Sequence, residues 1–314
     1  MLIHNKCFLK LNFFLVFNFL CLFIFFFLVF NDLSCASSEK LRVVASIAPL
    51  ADFAKQVGGD KADVLLLLPP GASGHTYEPS PRMMQKTSKA QVFIKIGAGL
   101  EFWADKLITA ANRDVIVVNC SEGIELIEGN GHSHDHDKGF KLNNIHTADP
   151  HIWLDPVICI TIVKKIEDSF SKADPVNSSY YKKNAAAYLT KLSALDREIE
   201  EKVKTFSIKE YVTFHQAWNY FSRRYGLRVA GVIEESPGKE PSPKHISKIL
   251  KELKRINIKV VFAEPQSSAK IAEAIAREAG GKVLTLDPVG GQKDRETYIE
   301  LMRYNLAVLE KAMK

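Results

Sequence analysis

Residues 177–206 read NSSYYKKNAAAYLTKLSALDREIEEKVKTF. Apolar side chains fall at Tyr181, Ala185, Tyr188, Leu192, Leu195, Ile199, Val203 and Phe206, all in steps of three or four, with no internal glycine or proline. That spacing lines one face of a helix. Glu198 with Lys202, and Glu200 with Lys204, are four-apart pairs in the orientation that supports a helix. At 1.5 Å per residue the segment makes a rod of roughly 45 Å. A connection built as one long helix is stiff, so bodies on either side of it should not swing as far as bodies joined by flexible strands.

On both sides of this helix, short aliphatic runs alternate with amphipathic stretches. Before it, strands are predicted at 41–47, 62–68, 91–96 and 114–118, with helices at 49–57, 80–90 and 99–112. After it, strands are predicted at 211–214, 227–233, 259–263 and 282–286, with helices at 217–225, 243–256, 268–279 and 296–312. Continuous Val/Ile/Leu runs, each followed by a helix, indicate parallel sheets buried on both faces. The expected fold is therefore α/β, with two (β/α)4-type lobes at 37–176 and 207–314 joined by the rigid helix at 177–206. The lobes share a plan but no repeated sequence.

Ten of the 19 phenylalanines lie between Phe8 and Phe30, so the apolar content is crowded at one end of the 314 residues. His4, Lys6 and Lys10 open that segment, an apolar run fills 11–30, and Ser34-Cys35-Ala36 supplies small residues of the kind a signal peptidase reads. Export with cleavage after Ala36 is expected. An uncleaved anchor is the competing reading, because about twenty apolar residues can span a bilayer. A lipid attached at Cys35 is disfavoured by Asp32 three residues earlier. Without residues 1–36 the net charge falls from +6 to +5, and no basic run points to nucleic acid. Only Cys120 and Cys159 remain. They allow one disulfide at most, and two buried free thiols are the expected state.

Histidines carry the chemistry. His75 lies in the loop after the second predicted strand, His151 in Asp149-Pro-His-Ile-Trp-Leu-Asp155, and His215 directly follows the strand ending at Phe214. Asp287 directly follows the last strand. In open parallel sheets, ligands bind beyond the carboxyl ends of the strands, so two such residues per lobe would meet between the lobes. Three imidazoles and one carboxylate make a tetrahedral set suited to Zn²⁺. The bland alternative is that each histidine is a hydrogen-bonded interface residue, and no local two-ligand motif decides between the readings.

The segments PPGASGHTYEP around His75, DPHIWLDP around His151, FHQAWNYF around His215, AEPQS at 263–267 and LDP at 286–288 resemble, in order, the zinc and manganese solute-binding proteins of bacterial ABC importers, particularly the zinc-uptake branch. The resemblance implies two lobes joined by a long helix, with metal bound between them and delivered to a membrane permease by a periplasmic or otherwise extracytoplasmic protein. It carries His75, His151 and His215 over as ligands and Asp287 as the fourth position, which some relatives leave to water or another group. Manganese-type relatives usually place a glutamate where His215 stands, so the imidazole favours Zn²⁺ over Mn²⁺ or iron.

The other residues are read as follows. His132, His134 and His136 alternate in GHSHDHD, either a weak zinc-collecting segment or a solvated linker. His146 and His245 are expected at the surface. Glu240 matches a family loop and is read as structural or permease-facing. Asp155 either orients His151 or caps the helix after it. Trp153 and Trp218 are expected to pack the ligand loops. A monomeric, non-enzymatic carrier is the expectation. The rival is an exported zinc hydrolase with Glu234 or Glu264 as general base.

Overall fold

The computed structural model describes residues 39–314 except 105–106, 109–113, 130–147 and 237. The expected export segment 1–36, the alternating histidines 132, 134 and 136, and His146 lie outside the described residues. Among the described residues no helix is long and apolar enough to cross a membrane.

Lys40–Lys314 forms one compact unit. Its first half holds β1 (Leu41–Ala45), α1 (Ala48–Gly58), β2 (Ala62–Leu66), α2 (Pro81–Thr87), β3 (Val92–Lys95) and β4 (Ile116–Asn119). Strands run parallel in the order β2-β1-β3-β4. Val43, Val44, Val92, Phe93, Ile94 and Val118 are buried, so the central strands β1 and β3 are covered on both faces, whereas Val117 on the edge strand β4 is exposed. The chain leaves β1 toward β2 on one side and returns to β3 on the other, so a crevice opens at the carboxyl ends of β1 and β3. The helix expected at 99–112 is described only in part, with helical residues at Ala104, Leu107 and Ile108.

Two helices follow, α3 (Pro156–Ala173) and α4 (Ser178–Lys204). Asp155 caps α3, accepting from the backbone N–H of Val157 at 2.9 Å and of Ile158 at 3.4 Å. The long helix α4 has 27 residues, and its buried positions are Tyr181, Ala185, Tyr188, Leu192, Leu195, Ile199 and Val203. These are the positions that the periodicity marks. The buried face packs against α1 and α3.

The second half holds β5 (Glu210–Thr213), α5 (Asn219–Tyr225), β6 (Arg228–Val232), α6 (Pro243–Arg255), β7 (Val260–Ala263), α7 (Ala269–Glu278), β8 (Lys282–Thr285) and α8 (Tyr298–Met313). Serine at 242 caps α6 by accepting from the His245 N–H, and Thr297 with Glu300 forms a capping box on α8. Gly226, at φ +66°, ends α5 in the left-handed conformation that favours glycine. All four expected strands are present, yet they form two parallel pairs, β5 with β6 and β7 with β8, with β5 lying beside β7. In the first pair Tyr211 faces Val229 and Val212 faces Gly231, so Ala230 is an extra residue in β6. Such a bulge bends and twists the ladder locally.

Helix α4 is a spine shared by both halves. Asn184 Nδ2 donates to the Val57 carbonyl at 3.0 Å and Tyr188 OH to Asp52 at 3.0 Å, both in α1. On the other side Arg303 of α8 pairs with Glu198 at 2.7 Å, and Tyr225 OH of α5 donates to Asp196 at 3.0 Å. Asp52 also accepts from the Tyr298 N–H at 3.0 Å, so one buried carboxylate joins α1, α4 and α8. Leu192→Ala should lower unfolding free energy by about 2–5 kcal/mol. Lys191→Ala, one position away on the exposed face, should change it by less than about 0.5 kcal/mol. Equal midpoints for the two variants in urea titration would show that α4 has no packed face.

Candidate metal site

Each of the three histidines stands at the carboxyl end of a sheet, on a loop pinned by specific partners. His75 follows β2 in the turn 69–77. Its loop is held by the Trp103 indole N–H, which donates to the Gly74 carbonyl at 3.2 Å, and by Leu100, which packs on Gly74. That support descends from Glu101. Its buried carboxylate accepts from Ser46 Oγ after β1 and from the Ile96 and Gly97 N–H groups after β3.

His151 precedes a single 3-10 turn, Ile152–Leu154. Asp149 accepts the His151 N–H at 3.0 Å and lies 2.7 Å from His151 Nδ1. The same carboxylate accepts from Asn219 Nδ2 of α5 at 3.0 Å, and the Asp149 carbonyl accepts from Tyr220 OH at 2.8 Å. The loop carrying His151 is therefore fastened to the second half of the molecule. His215 follows β5. Its Nδ1 is bonded to Glu264, which directly follows β7 and is buried.

With Nδ1–H given to a carboxylate, a neutral imidazole must present the lone pair of Nε2. Those Nε2 atoms converge. His75 Nε2 and His215 Nε2 each lie 3.2 Å from His151 Nε2, and among the described residues these three form the one cluster able to hold a metal. Two ligands of a tetrahedral ion with bonds of about 2.0–2.1 Å are themselves about 3.3 Å apart. The spacing therefore matches a small tetrahedral cation, and the nitrogen donor set matches the same chemistry.

Electrostatics differ among the three rings. Burial, followed by the neighbouring His151 and His215, pushes the His75 pKa down to about 2. Burial also lowers that of His151, against the pull of Asp149. Burial disfavours charge on His215 as well, but Glu264, with help from Glu234 and Asp149, outweighs it and the pKa is raised. The three rings open onto a cavity of about 270 Å³ whose lining includes Trp153, Glu234, Glu264 and Val289.

Asp287 is not brought to the histidines. It is fully buried, with Oδ1 accepting from Gln266 Nε2 at 3.1 Å and from the Val289 and Gly290 N–H groups at 3.0 and 2.9 Å. Its Oδ2 accepts from Arg295 Nε at 2.6 Å. The expected fourth ligand is thus the anchor of the loop after β8, because local donors and an arginine satisfy both of its oxygens.

Asp155 does not orient His151. It caps α3 and pairs with Arg224 at 3.0 Å, and the orienting carboxylate is Asp149. An acidic residue two positions before the histidine is the signal that could have found it. Glu264 holds His215 rather than standing free as a base. His245, expected at the surface, is half-buried there, and its Nε2 donates to the Val232 carbonyl at 2.7 Å and links α6 to β6. Trp153 and Trp218 are buried. The Trp153 ring lies 5.2 Å from that of His151, and its N–H donates to the Pro288 carbonyl at 2.6 Å. Glu240 sits on the cavity rim. Cys120 and Cys159 are buried free thiols.

Comparison with known proteins agrees with this arrangement. Residues 43–312 match the ZnuA family, described as zinc-uptake complex component A, periplasmic. The high-affinity zinc uptake system protein ZnuA of Bacillus subtilis is 34% identical over 284 residues, covering 88% of this chain and 89% of that protein. The zinc-binding protein AdcA of Streptococcus pyogenes is 33% identical over 285 residues, covering 86% of this chain and 55% of that protein, so the chain spans about half of that relative's length. A crystal structure of ZnuA superposes with a TM-score of 0.76 at 30% identity, covering 87% of this chain and 99% of the other. The chain belongs to the ZnuA family of periplasmic zinc-uptake components.

Proposed function

We propose that this protein is the extracytoplasmic solute-binding component of a zinc importer, capturing Zn²⁺ on His75, His151 and His215 and handing it to the permease of an ABC transporter. The observation that carries the reading is the convergence of three Nε2 atoms at tetrahedral ligand spacing, two of them on rings whose Nδ1 is held by a carboxylate. Zinc-uptake relatives along nearly the whole chain support the same cargo. Residues 1–36 export the chain, and 37–176 and 207–314 act as the two lobes about the helix at 177–206. The protein works as a monomer.

It binds rather than catalyses. A hydrolase needs an open metal position and a free base beside it. Here Glu264 is engaged by His215 and Glu234 by the Gly238 N–H, and the cavity is lined by apolar side chains of Ile47, Leu100, Phe214 and Val289 around the imidazoles.

Replacing His151 by alanine should lower zinc affinity by on the order of a hundredfold or more, since loss of a mere outer partner already costs 10–100-fold. Substituting His245, which lines a different cavity, should leave affinity unchanged. Competition titration against a chelator reads both. Equal affinity for His151→Ala and the unaltered chain would remove the ligand assignment.

Proton competition should be set by one ring. Each ligand must be neutral to bind. His75, held near 2, and His151, also lowered, take up protons less readily than a free imidazole, whereas the pKa of His215 is raised. Zinc affinity should therefore fall by about tenfold per pH unit below the His215 pKa and level off above it. A drop near a thousandfold per unit between about pH 5 and 8 would mean that all three rings titrate together, and a flat profile would mean that none does.

A further inference from the structure

The three imidazoles leave one tetrahedral position, and the carboxylate expected there is already held from every side. Asp287 would have to break with Arg295 and surrender three further donors to reach a metal. Stripping a buried arginine–carboxylate pair of one partner is among the costlier changes a protein can make.

Another carboxylate lines the cavity onto which the three histidines open. Glu234 lies just past the end of β6, and its backbone N–H donates at 2.7 Å to the carbonyl of Phe214, the residue before His215. It thus extends the β5–β6 ladder alongside that histidine. Its side chain lines the same cavity as His75, His151 and His215. The other carboxylates on that cavity are Glu264, which holds the His215 ring, and Glu240, which is exposed on the rim.

We propose that Glu234 is the fourth ligand to the captured metal, while Asp287 stays locked to Arg295 as the anchor of the loop after β8. The assignment rests on the zinc-binding reading above. It also couples capture to the rim. Glu234 Oε1 accepts from the Gly238 N–H, and Gly238, Lys239 and Glu240 line the same cavity. A carboxylate that turns to the metal lets go of that amide. Metal capture thereby releases the Gly238 amide at the rim. Glu234 is only half-buried, so the turn does not require a charge to cross the core.

The test uses the full exported chain with zinc and with cobalt(II), whose visible absorption reports the ligands. A closed site with a carboxylate in the fourth position has no metal-bound water to ionise, so the cobalt spectrum of the unaltered chain should stay constant from about pH 7 to 9, where a metal-bound water would titrate. Glu234→Gln should lower zinc affinity at least about tenfold and bring in a pH-dependent spectrum as water enters. A Glu234→Gln chain that keeps both the original affinity and the original spectrum overturns the assignment, and so does an unaltered chain whose spectrum already titrates. Failure of the unaltered chain to bind either metal overturns the zinc-binding reading itself, and the ligand assignment with it. His151→Ala serves as the control that separates the two, because its loss of affinity alongside an unaffected Glu234→Gln leaves the site standing and removes only Glu234.

Discussion

The site depends on the carboxylate of Asp149. One of its oxygens holds both the backbone and Nδ1 of His151, and the other is held by Asn219 of α5. A single charged group therefore sets the tautomer of the central imidazole and fastens the loop from the first half to the second. His151 is also the ring from which both other Nε2 atoms are 3.2 Å away. If that ring rotated or its loop drifted, His75 and His215 would each remain on a well-supported strand end with no common point to face. Preorganisation of this kind removes the cost of ordering the ligands when metal arrives.

The same logic explains why α4 is more than a connection. Its apolar face is buried against α1 and α3, and its polar edge is tied to α5 and α8. A rod packed along its length against both halves resists wide hinge motion, so adjustment on binding falls to loops at the strand ends. Those loops are themselves unequal. The segment after β8 is nailed down by Asp287, Arg295 and Asn305, with Arg295 also stacked 4.5 Å from the Tyr304 ring. Glu234, half-exposed, is tied by one carboxylate-to-amide bond to Gly238, with a backbone bond from Lys239 to Ser236 beside it. Movement concentrates where fewest groups must break together.

Much of this was legible in residue order. Helical periodicity marked every buried position of α4, because a face packed against neighbours admits only apolar side chains at those steps. Strand runs and the histidines that follow them were likewise local signals. What sequence could not supply was pairing across long separations. Asp149 and Asp155 are both acidic residues near His151. Only the fold shows that Arg224, 69 residues on, takes Asp155 while Asn219 takes Asp149. Asp287 stands at a strand end where a ligand is expected, and its engagement depends on Gln266, Arg295 and Asn305, none of which announces itself as its partner. The extra residue in β6, Ala230, likewise has no composition signature.

Charge balance connects these parts to cargo exchange. Around three imidazoles stand Asp149, Glu264 and Glu234, an excess of negative charge in a largely buried setting. Against the burial that alone would lower it, Glu264, with Glu234 and Asp149, raises the His215 pKa. In the proposed site a dication would need the same Nε2 lone pair that a proton takes, so metal and proton would exclude one another at His215. Three nitrogen donors rank Zn²⁺ above Mn²⁺ or Fe²⁺ by the ordinary order of divalent affinities. The carboxylates behind the rings add attraction that any dication would feel. Selectivity therefore resides in the imidazoles and strength in the carboxylates.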